Sequence, residues 1–122
     1  MDRKELQELA RVRVKEATAL LRLGLADGAY YLSGYAVECA LKACIARGTL
    51  RYEFPDRTKV ESSYSHDLGK LVRVAGLDEE RIERAAKDRE FRTNWDVVRT
   101  WSEQSRYQRH RLESAEALLL AV

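Results

Sequence analysis

The chain is expected to fold as an all-α, up-and-down bundle of four to five helices, and three observations carry that expectation. Breakers are scarce, with one proline (Pro55) and six glycines in 122 residues. The first segment sets Leu6, Leu9, Ala10, Ala17, Leu20 and Leu21 along one face, with Lys15, Glu16 and Arg22 mostly on others. The third observation is a contrast in charge. Ala29 to Ile45 (AYYLSGYAVECALKACI) holds only Glu38 and Lys42 as charges in a chain that is 34% charged. Such a segment reads as a central helix wrapped by partners.

The elements follow in order. Asp2 and Glu5 have the spacing of a capping box, and open a first helix from about Arg3 to Leu25. Asp27-Gly28 reads as a break, with Asp27 as N-cap of a second helix that runs from about Ala29 to Arg47 and stops at Gly48. The turn between them is short, so the two helices pack antiparallel. Gly48 to Tyr64 reads as a long loop with a turn at Pro55-Asp56, and loops of such length are often functional. Ser65 caps a third helix, His66 to Ala75, which buries Leu68, Leu71 and Val72 and ends at Gly76. Asp78 caps a fourth, with Glu79 and Glu80 in its first turn, continuing with a kink through Phe91, Trp95, Val98 and Trp101. Ser102 to Arg111 reads as a polar loop. A last helix covers Ala115 to Val122 from a start at Glu113 or Ser114; it ends while still apolar, as a truncated helix or one packed on a partner would.

Length and composition bound the rest. A chain of 122 residues that is 45% apolar fits one soluble globular domain, 1–122. A formal charge of +2 does not by itself imply nucleic-acid binding. The N-terminal segment is charged and amphipathic, unlike a signal peptide. The Ala29–Ile45 run is interrupted by charge and is short for a membrane span. A cytoplasmic protein is the expectation. Cys39 and Cys44 stand about 140° apart around a helix, too divergent to pair, and read as two buried reduced thiols. Two histidines, two separated cysteines and scattered carboxylates make no metal-ligand pattern, and neither a Gly-rich phosphate loop nor a nucleophile motif is present. No metal or cofactor is expected.

Two polar features stand out. Glu38 and Lys42 stand at i and i+4, with the acid first, the favoured order for an ion pair. A buried carboxylate needs a cation: either Lys42 supplies it, or Glu38 orients a basic residue from elsewhere, such as Arg106 or His110. The second feature is residues 89–111, where Arg89, Arg92, Arg99, Arg106, Arg109 and Arg111 outnumber Glu90, Asp96 and Glu103, and Trp95, Trp101 and Tyr107 interleave. Arginine grips phosphate bidentately and aromatic faces stack on bases. The competing reading makes both tryptophans core anchors and the arginines a solvated face. His66, expected just inside a helix N-terminus, reads as a neutral hydrogen-bonding residue. His110 lies between two arginines, which favour its neutral form.

The order AYYLSGYAVECALKACI, then a loop, then SHDLGKLVRVAGL, then Arg106-Tyr107, then SAEALLLAV resembles the HEPN domain (higher eukaryotes and prokaryotes nucleotide-binding) from about Leu6 to the end. The resemblance implies a helical bundle, frequently a homodimer, and in many bacterial members a minimal nucleotidyltransferase partner. Some members are toxins that cleave RNA without a metal, and others only bind nucleotides or RNA. It implies a nucleotide- or RNA-binding site at Arg106, Tyr107, Arg109 and His110 with Glu38. A ribonuclease would use Arg106 with His110 or His66. The ribonuclease members share an Arg, then four to six residues, then His. Here only three residues separate Arg106 from His110, and the positions that would satisfy the motif hold Glu103, Gln104 and Ser105. Those before His66 hold Lys59, Val60 and Glu61. The expectation therefore leans toward the non-cleaving branch, with a structural dimerisation module as a further alternative.

Overall fold

In the computed structural model, which describes residues 2–48 and 61–122, every regular element is helical. The helices are α1 (Arg3–Arg22), α2 (Ala26–Arg47), α3 (Leu68–Val74), α4 (Asp78–Lys87), α5 (Arg89–Val98) and α6 (Leu112–Ala121). A 3₁₀ helix (Glu103–Tyr107) lies before α6. Residues 61–63 are also helical. The all-α expectation holds for the described residues. Most of the expected Gly48–Tyr64 loop, with its Pro55-Asp56 turn, falls on residues 49–60, outside the described residues; its last part differs from expectation, because residues 61–63 are helical.

The Asp2–Glu5 capping box forms as expected, at 2.8 and 2.9 Å. The first break, however, lies at Gly24 and not at Asp27-Gly28. Gly24 takes a left-handed φ of +75°. The Leu25 N–H reaches back to the Leu20 carbonyl at 2.9 Å and the Gly24 N–H to that of Leu21 at 3.0 Å. This is the Schellman closure, which glycine makes without a Cβ penalty. It moves the start of α2 forward to Ala26, leaves Asp27 inside the first turn and frees its carboxylate for another partner. Gly76 (φ +73°) ends α3 in the same way, through Leu77 to Val72 and Gly76 to Arg73.

Further boundaries differ from expectation. Asp67, not Ser65, caps α3, accepting from the Lys70 N–H at 3.1 Å, so His66 lies before the helix. Asp78 is the first residue of α4 and pairs with Arg81, not a cap. The kink expected beyond α4 is a full break. Asp88 is extended and accepts from the Phe91 N–H at 3.1 Å, and this cap starts α5.

α2 is the central helix, in contact with α1, α3, α6 and the 3₁₀ helix. It buries Ala29, Ser33, Gly34, Ala36, Glu38, Cys39, Ala43 and Ile45. Its burial is not complete, because Ala40, Cys44 and Arg47 form an exposed line. Cys44 is therefore not the buried thiol that was expected, whereas Cys39 is. The core gathers Ile45, Leu68, Leu71, Val98, Trp101 and Leu118. Trp101 is a core anchor, 3% exposed, and Trp95 packs against the core from its edge.

Trp101 sits directly on Gly34. A Cβ added there would lie 2.2 Å from three atoms of the indole. The small side of α2 thus admits a ring where close helix approach was expected. Replacing a helical glycine by alanine ordinarily gains about 1 kcal/mol. Here overpacking against a ring that is buried and unable to swing away dominates. Gly34→Ala is expected to lose about 2 kcal/mol or more, read as a lower midpoint in urea at unchanged slope.

Candidate functional site

The site grows from Glu38. Its position on the buried side of α2 leaves it 2% exposed, which a carboxylate tolerates only with cationic or hydrogen-bonding partners. Two are present. Lys42, one turn on, brings its Nζ to 3.4 Å from one carboxylate oxygen. His66, from the segment before α3, brings its Nδ1 to 2.8 Å from the other. The expected i,i+4 pair exists, but the shorter contact is with His66, a partner not foreseen for Glu38.

His66 carries the connection outward. Its Nε2 lies 3.0 Å from Glu103 at the start of the 3₁₀ helix. Both ring nitrogens therefore face carboxylate oxygens. The inner contact is a hydrogen bond and the outer one an ion-pair distance. His66 stands directly before the N-cap of α3, not just inside the helix as expected.

The second oxygen of Glu103 lies 3.0 Å from the Arg106 guanidinium, one 3₁₀ turn away. Arg106 rests over the Tyr107 ring at 4.8 Å, and that ring is 72% exposed. Desolvation is the largest single influence and acts against the Arg106 charge, but Tyr107 and Glu103 together outweigh it and raise its pKa above the ordinary value. The result is a continuous polar chain, Lys42–Glu38–His66–Glu103–Arg106, from the interior to the surface. Beside it opens a cavity of about 350 Å³ lined by His66, Asp67, Arg99, Trp101 and Glu103 among others.

The buried charge at the inner end is felt by its neighbours. Burial first, then the Glu38 carboxylate, pushes the Cys39 thiol above its usual range. Burial likewise raises the Tyr35 phenol, followed by Cys39 and Glu38.

His110 has a different set of partners. Its ring stacks on Tyr30 at 3.8 Å and 10°. Its Nε2–H donates to the Ser105 carbonyl at 3.1 Å, and its backbone N–H donates to Asp27 at 2.6 Å. Arg109, 98% exposed at its side chain, lies 3.6 Å from the same Asp27. Asp27 thus holds down residues 109–110 in place of capping α2. Tyr30 and Glu38 are eight residues apart on α2, about 12 Å along its axis, so the His110 stack and the Glu38–His66 pair sit at different levels of the helix. Of the residues expected at the site, Glu38, His66, Arg106 and Tyr107 are linked through one chain of contacts, while Arg109 and His110 form a separate cluster.

Glu103 is the residue that sequence reasoning missed. It counted as one of three acids among six arginines and as a position where the ribonuclease motif lacks its arginine. Its i,i+3 spacing to Arg106 was the available signal, but the contact with His66, 37 positions earlier, left none. No protein-family model, curated protein or solved structure matches the chain.

The Glu38–His66 contact is a charge-assisted hydrogen bond shielded at one end. A double-mutant cycle of Glu38→Gln and His66→Ala, read by urea denaturation, is expected to give a coupling of about 1–3 kcal/mol. Additive effects would mean that the two side chains do not interact.

Proposed function

We propose that this chain is a HEPN-type helical-bundle protein that binds the phosphate of a nucleotide or RNA at Arg106 and His66, beside the Glu103 cavity. The observation that carries the reading is the convergence of two cationic or cation-competent side chains, from separate parts of the chain, on one carboxylate at the surface end of the polar chain. Arg106 offers a planar donor fork suited to phosphate oxygens. Tyr107, exposed beneath it, offers a face on which a base can stack. Glu38 fixes the His66 ring from below.

The reading extends to assembly. A homodimer is supported by apolar side chains left in solvent: Val12 on α1, Leu23 and Leu25 after it, and Leu112, Leu120 and Val122 in and after α6. A nucleotidyltransferase-type partner rests on the family resemblance alone. No helix among the described residues is long and apolar enough to cross a membrane.

Arg106 is exposed and meets Glu103 and Tyr107 at the surface, so Arg106→Ala is expected to abolish binding of a labelled nucleotide or oligoribonucleotide with nearly unchanged melting temperature. Calorimetry and fluorescence anisotropy read the first quantity, and thermal denaturation the second. Unaltered binding by the variant would sink the assignment.

A second reading is favoured by one contact. Glu38 holds His66 by Nδ1 and leaves Nε2 directed outward toward Glu103 and its partner Arg106. A metal-independent ribonuclease needs such a pair, an imidazole to transfer protons at the ribose 2′-oxygen or the leaving oxygen and an arginine to stabilise the phosphate. This reading predicts RNA cleavage in EDTA that His66→Ala removes and His110→Ala spares. Purified protein inert toward RNA would count decisively against it.

A further inference from the structure

A groove between α1 and α2 lies apart from the polar chain and from the His110 cluster. It holds a cavity of about 310 Å³ lined by Arg3, Ala10 and Arg11 from α1 and by Ala40, Ala43 and Arg47 from α2, among others. The short turn at Gly24 sets the two helices antiparallel, so Arg3 and Arg47 stand at one end and Arg11 toward the other. Arg3 and Arg11 are eight residues apart, about 12 Å along the helix. All three arginines are exposed. Among the described residues, no acid lines the groove and none of the three arginines has an ion-pair partner, whereas Arg13, Arg81, Arg99, Arg106 and Arg109 each have one. Between the arginines the floor is alanine, and such short side chains let an incoming helix approach closely.

A complementary surface is present on the same chain. α4 buries none of its residues. Its outer side presents Glu79, Ile82, Glu83 and Ala86, all exposed, and the spacing i, i+3, i+4, i+7 sets them on one face. Ile82 is 53% exposed. Glu79 and Glu83 have no ion-pair partner among the described residues, because Arg81 pairs with Asp78. The cations of α4 are drawn to its other side: Arg81 lies over the Trp95 ring and Arg84 over that of Phe91. The outer face is therefore acidic, with an apolar side chain at its centre. Its two carboxylates are one helical turn apart, about 6 Å along the axis, within the span of the groove arginines. A nucleic-acid strand fits the groove less well, since no aromatic ring lines it for a base to stack on.

We infer that the α1–α2 groove is a docking surface for a second copy of this chain, which inserts the Glu79–Ile82–Glu83 face of its α4. Ile82 rests on the alanine floor, and the two carboxylates pair with Arg3, Arg11 and Arg47. Exposed ion pairs hold weakly, so the association is reversible and sensitive to salt. The contact shares no residue with the apolar side chains of the homodimer reading or with the phosphate site, and rests on neither. Groove and stripe are different surfaces, so copies pair reciprocally or join head to tail.

Analytical ultracentrifugation of the full chain over a range of concentrations, in low and in high salt, tests this. Wild type is expected to self-associate in low salt and to lose roughly tenfold in affinity in high salt, a dependence that an apolar contact lacks. A groove-reversed chain (Arg3→Glu with Arg11→Glu) and a stripe-reversed chain (Glu79→Arg with Glu83→Arg) are each expected to lose the salt-sensitive step alone. Mixed together they are expected to recover it, because the acidic groove of one meets the basic α4 of the other. Glu79 lies in the first turn of α4, where an arginine opposes the helix dipole; Glu83→Arg alone replaces the double variant if circular dichroism shows lost helix. Wild type that stays monomeric, or that associates equally at both salts, overturns the inference without any substitution. So does a salt-sensitive step that survives groove reversal, or that the mixture fails to restore. If a monomeric wild type instead binds an oligouridylate that the groove-reversed chain does not, the groove takes nucleic acid and the inference likewise falls.

Discussion

The burial of Glu38 is the constraint on which the rest of this structure depends. An ionised carboxylate taken from water costs several kcal/mol unless it is paired and hydrogen-bonded. At 2% exposure on the central helix, Glu38 has almost no access to solvent of its own. Lys42 answers part of the demand from the same helix. The remainder falls on His66, which must therefore sit at the end of the loop leading into α3 with its ring turned toward α2. That requirement fits where α3 starts. Asp67, rather than Ser65, caps it, and His66 stays outside the helix, free to turn inward.

A second constraint keeps the surface end of the polar chain in place. The Trp101 indole lies on Gly34, one turn of α2 before Glu38, where no larger residue leaves room for it. The backbone that follows Trp101 then runs into the 3₁₀ helix, which brings Glu103 beside His66 and sets Arg106 outside it. Packing and electrostatics are thus joined on α2. Gly34 positions the segment that carries Glu103 and Arg106, and Glu38 positions the histidine that meets them. The Asp27 carboxylate performs a comparable task at the other end of α2, holding residues 109 and 110 and starting the return into α6.

Much of this architecture was legible in the residues. The low charge of Ala29–Ile45 identified the central helix, and the Asp2–Glu5 box, Gly48 and Gly76 marked helix ends correctly. Local chemistry decides such features, so sequence carries them. Two of the misplaced boundaries, at Asp27 and Ser65, involved a polar residue assigned as a cap when another helix signal stood close by. At Gly24 the left-handed turn won over Asp27, and at α3 Asp67 won over Ser65, outcomes that depend on tertiary partners. For the site, the need for a cation beside Glu38 was readable from burial alone. The identity of that cation was not, because His66 is 28 residues away across a loop. Glu103 was invisible for the same reason. Arg106 and His110 look like neighbours in the chain, yet they take different partners: Arg106 meets Glu103, and the His110 ring stacks on Tyr30 and donates to the Ser105 carbonyl of the same 3₁₀ helix.

The proposal places an anion at His66 and Arg106 and not at His110. The direct test is heteronuclear NMR of the histidine ring nitrogens and arginine side chains of the folded protein, titrated with 5′-AMP. Saturable shifts are expected at the His66 ring and the Arg106 guanidinium, with the His110 ring unmoved on Tyr30. Shifts confined to His110 and Arg109, with His66 and Arg106 silent, would contradict it.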